Sequence, residues 1–138
     1  MKFIVVDDVL VLVHGESEPQ DREWDAFLDL YDKSLMELRG LLVSTPGPGP
    51  DSARRKRLSE INSKRRVPIS VMTPSAVTRG IVTALSWLGL AIRSFEPRSV
   101  DKALDHIGVT GAARAKVAAA LDAFQRELRP AADATRSR

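Results

Sequence analysis

The 138 residues include no cysteine, which excludes disulfide cross-links and thiolate chemistry. That absence suits a reducing compartment, and a cytoplasmic location is the expectation. Histidine is nearly as scarce, with His14 and His106 alone. Neither stands beside a serine or aspartate in a triad-like motif. There is no His-x₃-His pair, and no carboxylate series carrying the glycine of a calcium loop. His106, close to a predicted helix end, reads as a complement to the helix dipole. No catalytic residue, metal ligand or cofactor is therefore expected.

Aromatic residues make up only 5% of the chain. Trp24, Phe27, Tyr31 and Phe124 fall on amphipathic stripes rather than among the cations, where base stacking would need them. Long apolar runs are missing too. Nothing approaches the roughly 20 residues of a membrane-spanning helix. The apolar opening "MKFIVVDDVLVLVHGE" is interrupted by Asp7 and Asp8, whereas a signal peptide needs an unbroken apolar core. A soluble chain is the expectation.

What the sequence does have is segregated charge. The formal net charge is +3, yet the signs are not mixed. Residues 1–38 hold ten acids against Lys2, Arg22 and Lys33, and residues 52–66 hold seven bases against Glu60. Such a dipolar surface steers charged partners; the plainer alternative is two solvated faces.

The hydrophobic periodicity alternates between strand and helix. "FIVVDDVLVLVHGE" reads as two β-rich strands turning at Asp7-Asp8. In the next segment Trp24, Phe27, Leu28, Tyr31, Leu35 and Leu38 recur at helical steps, with Gly40 as its stop. "LLVSTP" is a strand, residues 51–65 a polar helix anchored by Leu58 and Ile61, and "VPISVM" a strand. A helix follows with Thr73 as cap, Pro74 in its first turn and Val77, Ile81, Leu85 and Leu88 as its apolar stripe. "AIRSF" is the last strand. Two helices close the chain, the second carrying Val117, Leu121, Phe124 and Leu128 on one face. The alternation predicts an α/β domain over residues 1–129. Its sheet is mixed, mostly parallel and five-stranded, with an opening β-hairpin and flanking helices. Residues 130–138 read as a flexible tail.

The stretch "STPGPGPDSARRKR" (residues 44–57) stands out. It lacks the Gly-x₄-Gly-Lys-Ser/Thr spacing of a P-loop, and its prolines remove the N–H donors a phosphate cradle needs. Asp51 or Ser52 can cap the helix that begins there. The stretch is read as a stiff turn, Pro46 to Pro50, delivering a basic helix to the carboxyl edge of the sheet.

The element order resembles the STAS fold of anti-sigma-factor antagonists and the related SpoIIAA-like proteins. In that family the diagnostic loop after the third strand carries a pattern like Asp-Ser-Ser-Gly-Leu-Gly, and this chain has Asp51-Ser52-Ala53 there. The segment from "VPISVM" to "DKALDHI" is similar to the family's second half. The slot of the usual phosphoserine reads Ala53, and Arg54-Arg55-Lys56-Arg57 replace the glycines, so Ser52 is the remaining acceptor. The resemblance implies a non-enzymatic interaction module of regulation or signalling. It would dock a protein partner through the loop and basic helix at 46–66, contacting Asp51, Ser52, Arg54, Arg55, Lys56 and Arg57. The alternative is a polyanion binder, taking nucleic acid or an acidic lipid surface through residues 54–66. A homodimer through the Ala-rich flank Ala112, Ala115, Ala118 and Ala119 is the self-association alternative to packing of that helix on its own sheet.

Overall fold

A computed structural model describes residues 1–47 and 49–129; the tail expected over 130–138 lies outside the described residues. The chain runs β1 (Lys2–Val6), β2 (Val9–Val13), α1 (Asp21–Ser34), a 3₁₀ turn (Leu35–Glu37), β3 (Gly40–Ser44), α2 (Ser52–Lys64), β4 (Ile69–Met72), α3 (Ala76–Trp87), β5 (Ile92–Phe95), α4 (Val100–His106) and α5 (Gly111–Glu127). The five strands form one sheet in the order β1-β2-β3-β4-β5, with β1 antiparallel to β2 and the remaining pairs parallel. This is the mixed, mostly parallel α/β arrangement that the alternation predicts.

Strand order equal to chain order has a direct consequence. Parallel crossovers are almost always right-handed, so crossovers that all advance in one direction place their helices on one face. Buried residues of α1, α2 and α3 accordingly share one core with Leu10, Leu12, Leu41, Val43, Ile69 and Val71. The intervening strand residues point the other way, as the period of two requires. Val9, Val11, Val13, Leu42 and Met72 meet Leu104, Ile107, Val117 and Leu121 of the α4–α5 arm in a second core. All five residues of β2 are buried, which explains why "VLVLV" carries no polar alternation. The last helix lies on the hairpin side of the sheet, with Phe124 and Leu128 packed at the margin of its core.

Polar bonds tie the layers where apolar packing is thin. The buried Tyr31 hydroxyl donates to Asn62 Oδ1 at 2.8 Å, and the backbone N–H of Val67 donates to the same oxygen at 3.3 Å, joining α1, α2 and the approach to β4. Burial pushes the Tyr31 pKa up. On the other face, Ser70 Oγ of β4 donates to the carbonyl of Ala103 at 2.7 Å. Arg114 of α5 donates to Asp105 at 2.9 Å and to the carbonyl of Asp101 at 3.0 Å, binding α5 to α4.

Two local expectations are corrected. Gly40 does not stop the first helix. That helix ends at Ser34, a 3₁₀ turn follows, and Gly40 opens β3. A β-carbon there would lie 2.6 Å from Ile107 Cβ and 3.2 Å from the carbonyl of Pro68, so the glycine serves close packing of the second face. The third expected helix start is also displaced. Thr73 is not the cap of α3; Ser75 is, its Oγ accepting from the backbone N–H of Thr78 at 3.2 Å. The turn that follows β4 therefore sets the helix phase. It buries Thr78, Val82 and Leu85 and turns Val77 and Leu88 outward, where the sequence pattern placed both in the core stripe.

Gly40→Ala is expected to lower unfolding free energy by about 2–3 kcal/mol through overpacking, measured by urea denaturation. A loss below about 0.5 kcal/mol would show that the Ile107 contact is soft.

Candidate functional site

The carboxyl edge of the sheet is built by the residues that follow each strand. The ladder runs one residue past β2, β3 and β4. The backbone N–H of His14 donates to Ser44 O at 2.8 Å, that of Thr45 to Met72 O at 3.0 Å, and that of Thr73 to Phe95 O at 3.0 Å. His14, Thr45 and Thr73 thus form a row across the edge. Each threonine then starts a tight turn with its own hydroxyl. Thr45 Oγ1 accepts from the N–H of Gly47 at 3.0 Å, and Thr73 Oγ1 from the N–H of Ser75 at 3.1 Å. This is the turn chemistry that short hydroxyl side chains favour.

The loop from Thr45 to Asp51 lies against the start of α3. Gly47 has φ +87°, and a β-carbon on it would lie 2.7 Å from Thr78 Oγ1 and 2.8 Å from Ser75 Cβ. Only glycine satisfies both the backbone angle and the approach. A cleft of about 440 Å³ separates this loop from the 14–19 segment, and a second of about 370 Å³ lies on the loop's other side, bordered by Pro74, Gln125 and Leu128. His14 and Thr45 line both. His14 leans on Trp24 with ring centroids 5.2 Å apart. Burial pushes its pKa down to about 4, with the Met1 α-amino group acting the same way and Glu23 partly opposing. The imidazole is therefore neutral near pH 7.

Asp51 caps α2. Its Oδ1 accepts from the backbone N–H of Arg54 at 2.9 Å, and its Oδ2 takes Arg54 Nη1 at 2.6 Å. The backbone N–H, helped by the guanidinium, holds the Asp51 carboxyl below the usual range. Ser52 is the exposed first residue of α2, and its Oγ accepts from Arg55 Nη2 at 3.0 Å. Arg55 also donates to the carbonyl of Pro50 at 2.6 Å, so it folds back onto the loop.

The remaining cations divide into spent and free. Arg54 Nη2 reaches Asp21 at 2.6 Å, and its guanidinium lies 5.9 Å from the Trp24 ring centre. Arg57 pairs with Asp29, and Lys64 with Asp32 at 2.8 Å. Arg65 donates to the carbonyls of Leu35 and Leu38, serving the orphan acceptors at the end of the α1 segment. Asp21, Asp25, Asp29 and Asp32 form one stripe along α1 that faces this row. Lys56 and Arg66 are exposed and have no carboxylate within 4 Å among the described residues. The structure thus brings Asp51, Ser52, Arg54 and Arg55 together at one helix start, and leaves Lys56 outward with Arg57 turned to α1.

Sequence reasoning noted both blocks of charge but not that they pair. The signal was present in spacing: acids at 21, 25, 29 and 32 share a helix face, and cations at 54, 57 and 64 share another. It also passed over Thr45 and Thr78, which carry no motif. Among the described residues no group of three or more His, Asp or Glu side chains is placed to hold a metal ion. His106 Nε2 lies 3.1 Å from the carbonyl of Ala91, an interaction between α4 and the start of β5. Comparison of the chain with protein-family models, with curated proteins and with solved structures finds no match in any of the three.

Two outcomes are expected. The unfolded chain protonates His14 near pH 6.5, and the folded chain only near 4. The unfolded state therefore binds more protons between these values, so His14 lowers stability as pH falls through that window, by at most about 3 kcal/mol. His14→Gln should flatten that part of the stability–pH curve; an unchanged slope would place the histidine in water. Arg57→Glu should cost about 0.5–1 kcal/mol, and adding Asp29→Arg should restore most of it. The cost should shrink at about 1 M NaCl. Guanidine-free thermal melts of the two variants beside wild type decide it.

Proposed function

We propose that the chain is a non-enzymatic, STAS-type interaction module that docks a protein partner through the outer surface of its α2–α3 helix layer. The observation that carries this reading is an apolar face left uncovered on α3. Trp87 is 83% exposed, Leu88 72% and Val77 69%. Exposed apolar residues scattered singly are ordinary, but three large ones on one helix face, with Gly80 and Ala84 between them, form a patch of the kind that partners cover. Tryptophan in particular is enriched among residues that dominate binding energy.

The start of α2 borders the same helix layer. Ser52 is exposed there, with Arg55 already at its hydroxyl. A phosphate at this position would sit on a helix N-terminus beside an arginine, which favours the charged group. Asp51, one residue earlier, opposes it. This supports a partner surface in which α3 supplies apolar area and Ser52, Arg55 and Lys56 supply a polar margin. The Arg-rich segment on its own is a weaker candidate for polyanion binding than its composition suggests, because Arg54, Arg57 and Lys64 face the carboxylates of α1.

The test is partner capture from the cytosol of the source cells, with wild type beside Trp87→Ser/Leu88→Ser and Arg55→Glu/Lys56→Glu. Loss of the same captured protein with the first variant, and at least threefold weakening with the second, are expected. Full recovery with Trp87→Ser/Leu88→Ser would remove α3 from the interface. Salt-sensitive binding of wild type to RNA or anionic vesicles, abolished by Lys56→Glu/Arg66→Glu, would favour the polyanion reading instead.

A further inference from the structure

The sheet has two edges, β1 and β5. An edge strand is a template for pairing, and proteins blunt it with a charge, a proline or a bulge. In β5 the exposed Arg93 serves that purpose. Between Lys2 and Asp7, β1 carries none of these devices. It reads Phe3-Ile4-Val5-Val6, and its register against β2 runs unbroken from Lys2↔Val13 to Val6↔Val9. Ile4 is 45% exposed and Val5 36%, on opposite faces of the strand. The backbone is open as well. Asp8 O bonds the N–H of Arg39, and the N–H of His14 bonds Ser44 O, so the even-numbered residues of β2 serve β3. Val9, Val11 and Val13 therefore serve β1, where their partners are Val6, Ile4 and Lys2. The N–H and C=O groups of the alternate residues, Phe3 and Val5, point away from the sheet.

The helix above this edge carries opposite charges at its two ends. Lys116 of α5 lies 3.7 Å from Asp7, and Glu127 pairs with Lys2, so both reach the rim of β1. Ala120 lies four residues after Lys116 and Ala123 four before Glu127, on the same helical stripe. The flank beside β1 thus runs from a cation through two alanines to an anion. The strand beneath it runs the other way, from Lys2 to Asp7.

We infer that this edge takes a second copy of the chain, β1 against β1 in antiparallel pairing about a two-fold axis at Ile4, which joins the two sheets into one. Phe3 of each copy then exchanges both backbone bonds with Val5 of the other, and Ile4 meets Ile4. A register shifted by two residues loses half of these bonds. It sets Phe3 against Asp7, whose φ of +53° belongs to the turn, or Val5 against Met1, whose amino group is held by Glu23. Opposite charges meet at both ends of the pairing: Lys2 comes beside Asp7 of the second copy, and Lys116 beside its Glu127. Such complementarity fixes register and selects the partner. The helices fit too. With strands about 4.8 Å apart, two α5 helices lying above their own β1–β2 pairs stand about 10 Å from each other, an ordinary packing distance. Alanine at 120 and 123 leaves room for that approach. Helix α3 joins β4 to β5 at the opposite edge, so the dimer does not depend on the docking face proposed above and leaves it free on both copies.

Sedimentation equilibrium of the full chain tests the assignment. A mass near twice 15.1 kDa is expected at roughly 200 µM protein, falling toward that of one chain on dilution. The amides of Phe3 and Val5 should exchange with solvent at least tenfold more slowly at the high concentration than at the low one. Ala123→Arg lies on the exposed helix surface; it should melt as wild type does and weaken the dimer at least tenfold. Ile4→Lys, which opposes two lysines across the axis, should weaken it further. Trp87→Ser/Leu88→Ser should dimerise like wild type. A single-chain mass at roughly 200 µM, an unweakened dimer in either edge variant, fast exchange of Phe3 and Val5 within a dimer, or a dimer lost with Trp87→Ser/Leu88→Ser would each overturn the proposal.

Discussion

The direction in which the sheet is wound governs the molecule. Each parallel crossover carries the chain one strand further the same way, so α1, α2 and α3 are confined to one face. Nothing in that winding covers the other face, where Val9, Val11, Val13, Leu42 and Met72 point. The final arm, α4 with α5, is therefore the second half of the core rather than an appendage. Its fit is tight enough that Gly40 cannot carry a β-carbon beneath Ile107. Helix α5 meets the sheet through Val117 and Leu121, with Ala113, Phe124 and Leu128 at the margin, while Ala112, Ala115 and Ala119 stay exposed; its apolar stripe is used as an amphipathic helix ordinarily uses it.

The same winding shapes the carboxyl edge. Doubly wound sheets open a crevice where the strand order reverses and neighbouring loops diverge to opposite faces. Here the order never reverses, so successive loops leave toward the same side and crowd one another. On either side of residue 48, Gly47 packs against Ser75 and Thr78 at the start of α3, and Gly49 and Pro50 share a wall with Trp24 near the start of α1. Clefts then form on the two flanks of the Pro-Gly loop instead of at a switch point. The glycine at 47 follows from this contact with Thr78 and Ser75, and the prolines of the segment offer no backbone donor to a phosphate.

Fold class was legible because it depends on period. Strands rich in valine and leucine alternate with helices of matching length, and turn residues separate them, so element type and order could be read residue by residue. Helix phase was less legible. In α3 the sequence pattern gives the stripe Val77/Ile81/Leu85/Leu88, whereas the buried face is Thr78, Val82 and Leu85, so the two share Leu85 and differ by a rotation about the helix axis. The choice between them is made by the Thr73–Ser75 turn, a three-residue detail whose geometry depends on where β4 ends. The charge pairing between α1 and α2 was illegible for a different reason. Each stripe is visible in the sequence, but their opposition arises only once β2, β3 and β4 set the two helices next to each other.

That opposition changes what net charge means for this chain. A cluster of four consecutive cations attracts anions at long range only to the extent that its field is uncompensated. Arg54 and Arg57 are compensated within the molecule, and Arg54 lies against Trp24 besides. Helix α2 buries only Ile61 and Asn62 fully, so these pairs, together with the Tyr31–Asn62 bond, orient a helix that hydrophobicity holds weakly. The charge asymmetry of the sequence is thus in large part an element of folding specificity. What remains facing solvent on this layer includes the apolar side of α3 together with Ser52, Lys56 and Arg66. Helix α3 consequently carries two different surfaces. Its inner side, through Thr78, Val82 and Leu85, packs toward the sheet, and its outer side offers Val77, Trp87 and Leu88. Because protein interiors are close-packed, the inner contacts fix the position at which the outer ones are presented. The outward position of Val77, Trp87 and Leu88 is only as well defined as the packing of Thr78, Val82 and Leu85 beneath them.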